Sequence, residues 1–215
     1  MTKNSQKLVQ SVQASLNEAS PCAFPDSVLS IDGMSGAKYK RFINRLLSKE
    51  AVKSYLEIGV WKGSTAIAAL FGNTSRLKYT LVDNWSEFGG PHQEFADNWK
   101  KFIGSEPSLI DRDCFSINPI DHGVSEIDVY FYDGAHDENS QYLALKHYYE
   151  SMSHSFVFLV DDWDWPAVKA GTDRAISDLK LNVVYKQEFR GEFRGGPFDA
   201  DNWWNGCGIF VLEKQ

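Results

Sequence analysis

From residue 54 onward, short apolar runs alternate with segments of helical periodicity, and no other feature of the chain constrains its fold as strongly. YLEIGV, YTLVD, SLIDRD, IDVYFYD and SFVFLVDD read as strands. Among and after them come STAIAALF, a helix carrying Phe95, Trp99, Phe102 and Ile103, a helix around Tyr142 to Met152, and a helix after Pro166 that Asp164 is placed to cap. Strands this apolar need cover on both faces, so the expectation is an α/β fold, doubly wound around a mostly parallel sheet.

The end of the chain departs from this pattern. LNVVYKQEF and CGIFVLEK are strand-like, and the stretch RGEFRGGPFDADNWWNG between them has no room for a regular helix. An antiparallel hairpin with a long loop is therefore expected to close one side of a seven-stranded sheet. Ahead of the sheet, Leu8, Val9, Val12 and Leu16 predict an amphipathic helix over 4–19 that Pro21 ends. Tyr39, Phe42, Ile43, Leu46 and Leu47 have the spacing of a core-facing helix. The reading is one domain over 1–215, with 1–50 as a helical extension or lid.

Charge narrows the partners. The balance of 22 basic and 29 acidic residues is −7, which repels phosphate backbones and offers no basic stripe, so no nucleic acid is expected. Cys22, Cys114 and Cys207 are far apart and form no CxxC pair, so reduced thiols are expected rather than disulfides or a zinc knuckle. No stretch resembles a signal peptide or approaches ~20 apolar residues. The expectation is a soluble cytoplasmic protein with no membrane partner; a homo-oligomer is left open.

Chemistry concentrates at the strand ends. Glu57-Ile58-Gly59-Val60-Trp61-Lys62-Gly63-Ser64-Thr65 joins the first strand to a helix, at the edge where open α/β sheets bind ligands. Two glycines allow close backbone approach, and Ser64 and Thr65 open a helix whose free N–H groups favour an anionic group. Asp83 ends the second strand about 20 residues later, where an acid accepts hydrogen bonds from a ribose diol. Singly, such features are also a plain tight turn and a helix cap; together they favour a nucleoside site.

LEIGVWKGST and LVD resemble the class I S-adenosylmethionine-dependent methyltransferases, over residues 50–213. The resemblance implies their Rossmann-like fold, with Gly59, Gly63 and Ser64 around the methionine end of the cofactor. It further implies Asp83 on the ribose and Asp113 and Cys114 bordering the adenine, with Glu57 and Asp133 also among the cofactor-binding positions.

A second group of acids lies at the next two strand ends. Asp133 closes IDVYFYD, with His136 three residues on, and Asp161 and Asp162 close FVFLVDD. On neighbouring strands about 4.8 Å apart, three carboxylates would converge, and they repel unless a proton or cation lies between them. An all-oxygen set suits a hard ion such as Mg²⁺. The alternative is that Asp161 or Asp162 caps a turn and Asp133 opens a solvated loop. The pattern resembles the metal-dependent macrocin O-methyltransferase and cephalosporin hydroxylase-like group, which implies Asp133, Asp161 and Asp162 as metal ligands and His136 as general base. His136 is otherwise a surface histidine at a helix start, and Asp137 is either a helix cap or a second polar group of the site.

Trp85, Trp163, Trp165, Trp203 and Trp204 fall in loops near the same edge, where they either stack on a sugar or aromatic acceptor or cover the rim of the core. Met34 and Ser35, in the glycine-rich turn 31–36, are candidate cofactor or acceptor contacts, and Arg190 and Arg194 either meet an anionic acceptor or are solvated. The functional expectation is metal-assisted methylation of a small-molecule hydroxyl, sugar or phenol-like, using S-adenosylmethionine and Mg²⁺. The rivals are a hydroxylase- or hydrolase-like relative using the same pocket and a non-catalytic nucleoside-binding protein.

Overall fold

The computed structural model describes residues 1–17, 22–191 and 202–215. Strands β1 (Ser54–Ile58), β2 (Lys78–Asp83), β3 (Leu109–Asp111), β4 (Ile127–Tyr132), β5 (Met152–Val160), β6 (Asn182–Phe189) and β7 (Cys207–Glu213) form one sheet in the order β3-β2-β1-β4-β5-β7-β6. All neighbours are parallel except β7, which runs antiparallel to β5 and β6. The chain builds outward from β1 through β2 to β3, then crosses back to lay β4 on the other side of β1. That reversal opens a crevice at the carboxyl ends of β1 and β4, where ligands bind in sheets of this kind.

The expected alternation is present: α4 (Ser64–Leu70), α5 (His92–Phe102), α6 (Glu138–Tyr148) and α7 (Pro166–Asp178) connect the strands, preceded by α1 (Lys3–Leu16), α2 (Asp26–Leu29) and α3 (Ala37–Leu47). Successive strand residues feed opposite layers. Tyr55, Val129, Phe131 and Val157 pack with Tyr39, Phe42, Ile67 and Phe95 on one face. Leu56, Tyr130, Phe156 and Phe158 pack with Leu145, Tyr148 and Val168 on the other. Burial on both faces explains why β1 is buried at all five positions, including Glu57.

Several boundaries differ from expectation. The helix ends at Tyr148 rather than Met152, which opens β5, because a 3₁₀ turn over Tyr149–Ser151 intervenes. Asp164 does not cap α7: Trp165 is the N-cap and Pro166 the first helical residue, while the Asp164 carboxylate accepts the Gly191 N–H at 2.7 Å. Asp137 is the cap of α6, accepting from the backbone N–H groups of Asn139 and Ser140. Pro21 and Arg194 lie outside the described residues. Among the described residues no helix is long and apolar enough to cross a membrane, and all three cysteines are free.

The N-terminal region is held down at both ends. Thr2 donates through its N–H and hydroxyl to Glu213 on β7, and α1 packs through Leu8 and Val12. The turn 31–36 lies over the glycine loop: Ser64 donates to the Ile31 carbonyl at 3.1 Å and Lys62 pairs with Asp32 at 2.8 Å.

Candidate active site

The glycine turn is organised by an acid. Asp83 Oδ2 accepts the backbone N–H groups of Val60 and Trp61 at 2.6 and 2.8 Å, and Oδ1 accepts that of Trp85 at 2.7 Å. These bonds fix Trp61 and Trp85, both at positive φ, and the Trp85 indole N–H donates to the Trp61 carbonyl at 2.9 Å. Each carboxylate oxygen can accept two hydrogen bonds, so Oδ1 retains one acceptor position. Gly63 caps α4 with a left-handed φ of 83°, and a side chain there would strike Phe95. The Ser64 hydroxyl, expected beside the cofactor, is spent on the Ile31 carbonyl and so faces the covering turn.

Next to Asp83, the chain leaves β3 through Asp113 and Cys114. Asp113 is exposed and accepts the Phe115 N–H at 2.9 Å in an Asx turn. Burial raises the Cys114 thiol to about 12, with the Asp113 charge adding to it, so Cys114 is a neutral thiol rather than a nucleophile.

The acid cluster does assemble. The backbone N–H of Asp133 donates to the Ile58 carbonyl at 2.8 Å and that of Asp161 to the Tyr132 carbonyl at 3.3 Å, so the ends of β1, β4 and β5 step across one ledge. Asp133, His136 and Asp161 each offer a ligand atom within 4.8 Å of the others. His136 Nε2 lies 3.6 Å from Asp133 Oδ1 and 3.7 Å from Asp162 Oδ2, so Asp162 joins through the histidine rather than through that tightest group. Sequence spacing did not foresee this rotation; Asp162 has a φ of +50°, which turns its side chain differently from that of Asp161.

The electrostatics of the ledge are adverse when it is empty of cations. Burial raises the Asp133 carboxyl well above the ordinary carboxylate range, with the Asp161 and Asp162 charges adding to it. Asp161 is raised likewise by burial and then by Asp162; Asp162 is raised by burial, against the pull of His136. His136 is lowered by burial, opposed by Asp162 and Glu87. Asp161 Oδ1 and His136 Nε2 are buried and have no hydrogen-bond partner among the described residues. The unpartnered Asp161 oxygen, an acceptor beside like charges, fits a cation, which would satisfy both defects at once, while His136 Nε2 is left to accept a proton.

Behind the ledge, Glu57 is fully buried, accepts the Tyr55 hydroxyl at 2.6 Å and leaves Oε1 without a partner. Burial pushes its carboxyl from 4.5 up to about 8, the Tyr55 bond opposing and the Asp83 charge adding. Because the folded value exceeds the unfolded one, the native state holds the extra proton between these limits, and stability falls as pH rises through them. The cofactor-free protein is expected to lose on the order of 2–4 kcal/mol between about pH 5 and pH 8.5 through this group. Urea melts across that range measure the slope; in Glu57→Gln it should be markedly shallower, and an equal slope would contradict the assignment.

The aromatics divide. Trp163 is fully buried, Trp85 stacks on His92 at 4.1 Å and Trp203 stacks on Phe189 at 4.0 Å, so these three cover the rim. Trp165 is 47% exposed and lies 5.5 Å from the His136 ring, which leaves it as an aromatic face beside the cluster. Met34 is exposed and Ser35 is buried with its hydroxyl unpartnered among the described residues.

No family model matches the sequence, and no curated protein matches it. Solved structures do share its architecture. An O-methyltransferase from Bacillus cereus in complex with SAH has a TM-score of 0.62 at 14% identity, covering 97% of this chain and 91% of that one. TomG from Streptomyces achromogenes, an O-methyltransferase involved in tomaymycin synthesis solved with SAM, has a TM-score of 0.59 at 15% identity, covering 99% and 91%. An SAH-bound methyltransferase from Podospora anserina has a TM-score of 0.57 at 15% identity, covering 97% and 88%. At such identities the likeness shows the fold alone: the chain has the Rossmann-like α/β methyltransferase fold, with its mostly parallel seven-stranded sheet and C-terminal antiparallel hairpin.

Proposed function

We propose that this protein is an S-adenosylmethionine-dependent methyltransferase that methylates a hydroxyl oxygen of a small molecule with the help of a divalent cation such as Mg²⁺. The observation that carries the reading is the meeting of two features on one sheet edge: the glycine turn of β1 abuts the backbone of Asp133, the first residue of the acid cluster. The neighbours solved with SAM or SAH support the cofactor. So does charge: a crevice edged by Asp83, Asp133, Asp161 and Asp162 suits a cationic sulfonium and a metal ion, and disfavours a phosphate backbone.

In this reading Gly59, Gly63 and Ser64 shape the methionine end, Asp83 takes the ribose through its remaining acceptor position, and Asp113 and Cys114 border the adenine. Asp133 and Asp161 hold the cation, with Asp162 completing the set from beside His136. When bound, the cation supplies Lewis acidity that lowers the pKa of an acceptor hydroxyl. His136, kept neutral by burial, takes the acceptor's proton. Trp165 offers a flat face to a sugar or phenol-like acceptor. The free thiols suit a reducing compartment, and we assign the protein to the cytoplasm.

Methyl transfer to a panel of hydroxylated acceptors, with and without chelator, tests the function. His136→Gln is expected to lower turnover about 100-fold with Mn²⁺ affinity changed less than about threefold. If affinity fell at least about tenfold in parallel with turnover, His136 would belong to the ligand set and not act as the base.

A further inference from the structure

Away from the crevice, the chain gathers positive charge where its composition is otherwise acidic. Lys38, Arg41 and Arg45 recur at i, i+3 and i+7 on one face of α3 and line a cavity of about 360 Å³, walled by Ser15 and Leu16 of α1, Phe42 and Trp203. The residues of the crevice do not line this cavity.

Arg45 Nε lacks the hydrogen-bond acceptors that the neighbouring buried cation of the helix has. Lys40, on the other face of the same helix, is buried and donates to the carbonyls of Leu29 and Ile31 at 3.2 and 3.4 Å. Arg45 is only 9% exposed, yet its Nε–H is buried with no hydrogen-bond acceptor among the described residues. Among those residues no carboxylate forms an ion pair with Arg41 or Arg45. The Cys22 thiol lies beside both guanidinium groups, but burial raises its pKa, so it supplies no counter-charge. A desolvated guanidinium with an unused donor is costly unless an acceptor arrives, and its planar fork matches carboxylate and phosphate oxygens.

We infer that the cavity between α1 and α3 is a binding site for a small anionic ligand, in which Arg45 and Arg41 take a phosphate or carboxylate group and Leu16 and Trp203 take the flat apolar body that bears it. The volume suits a compact aromatic or heterocyclic acid rather than a polymer. Trp203 also packs against Tyr39 and Phe42, at 6.1 and 6.0 Å between ring centroids, which places the ligand against helix α3 and the segment leading into β7. The inference does not depend on methyl transfer, since its residues and its test are separate.

Calorimetric titration of the full-length protein with phenyl phosphate, benzoate, inorganic phosphate and phenol provides the test. Phenyl phosphate or benzoate is expected to bind at a single site, the tighter of the two identifying phosphate or carboxylate as the preferred group. Phenol, which lacks the charge at neutral pH, should bind at least about tenfold more weakly. Arg45→Met and Arg41→Met should each weaken the tighter acid about tenfold or more, while Asp161→Asn, in the crevice, should leave its affinity within about twofold. The two arginine variants, checked for intact cooperative melting, guard against misfolding at either position. Absence of binding by both acids, equal binding of phenol, or affinity unchanged in both folded arginine variants would overturn the assignment.

Discussion

Replacing Asp161 by Asn is expected to remove nearly all methyl transfer while leaving the cofactor-free protein as stable as before, or more so. The side chain is 3% exposed, one oxygen has no partner among the described residues, and burial and the Asp162 charge both disfavour its carboxylate. An amide of the same shape removes a charge that the empty site accommodates poorly, which should contribute roughly 1 kcal/mol of stability near neutral pH. The same change removes a ligand from the cation set, and loss of about 10²–10⁴-fold in turnover is expected. Chemical denaturation and single-turnover methyl transfer on the same preparation separate the effects. A plain turn-capping aspartate would behave oppositely, with lower stability and unimpaired turnover.

Gly59→Ala should be severely damaging to folding. Gly59 has φ +86°, and a Cβ there would lie 1.8 Å from the Asp133 carbonyl oxygen and 2.5 Å from its carbon. Neither partner is the free end of a side chain: both belong to adjacent strand ends fixed by the Gly59 N–H to Val82 and the Asp133 N–H to Ile58 hydrogen bonds. Relief would require β1 and β4 to separate at the ledge itself, at an expected cost of about 3–5 kcal/mol or loss of soluble protein. Gly89→Ala is the matched control, because its φ is +82° but nothing lies within 4 Å of the added carbon. It should cost only ~1 kcal/mol, the backbone penalty alone. Equal losses from the two in urea melts would show that conformation, not the β1–β4 approach, governs the site.

The strands were legible because their burial on both faces is written as unbroken apolar runs: YLEI and FVFLV have no other stable use at this length. The hairpin was legible from what the connection between Phe189 and Cys207 lacks. Boundaries were less so, since Met152 is as acceptable at a helix end as at a strand start, and the intervening 3₁₀ turn leaves no periodic mark. At the site, strand-end placement of Asp83, Asp133 and Asp161 followed from the pattern. Side-chain direction did not, because it depends on backbone angles such as the positive φ of Asp162 and on partners distant in the chain. The Ser64 hydroxyl is turned to Ile31 by a contact across 33 residues. The basic face of α3 was open to inspection at i, i+3 and i+7, but only the fold shows that Trp203 closes a cavity over it.

A crystal of the protein grown with S-adenosylhomocysteine and Mn²⁺, examined for anomalous scattering, bears most directly on whether the two halves of the ledge work as one centre. The expected result is a nucleoside lying against Gly59 and Asp83, with one strong anomalous peak coordinated by Asp133 and Asp161. A nucleoside seated elsewhere, or an occupied glycine turn with no peak at those carboxylates, would contradict a shared centre for cofactor and metal.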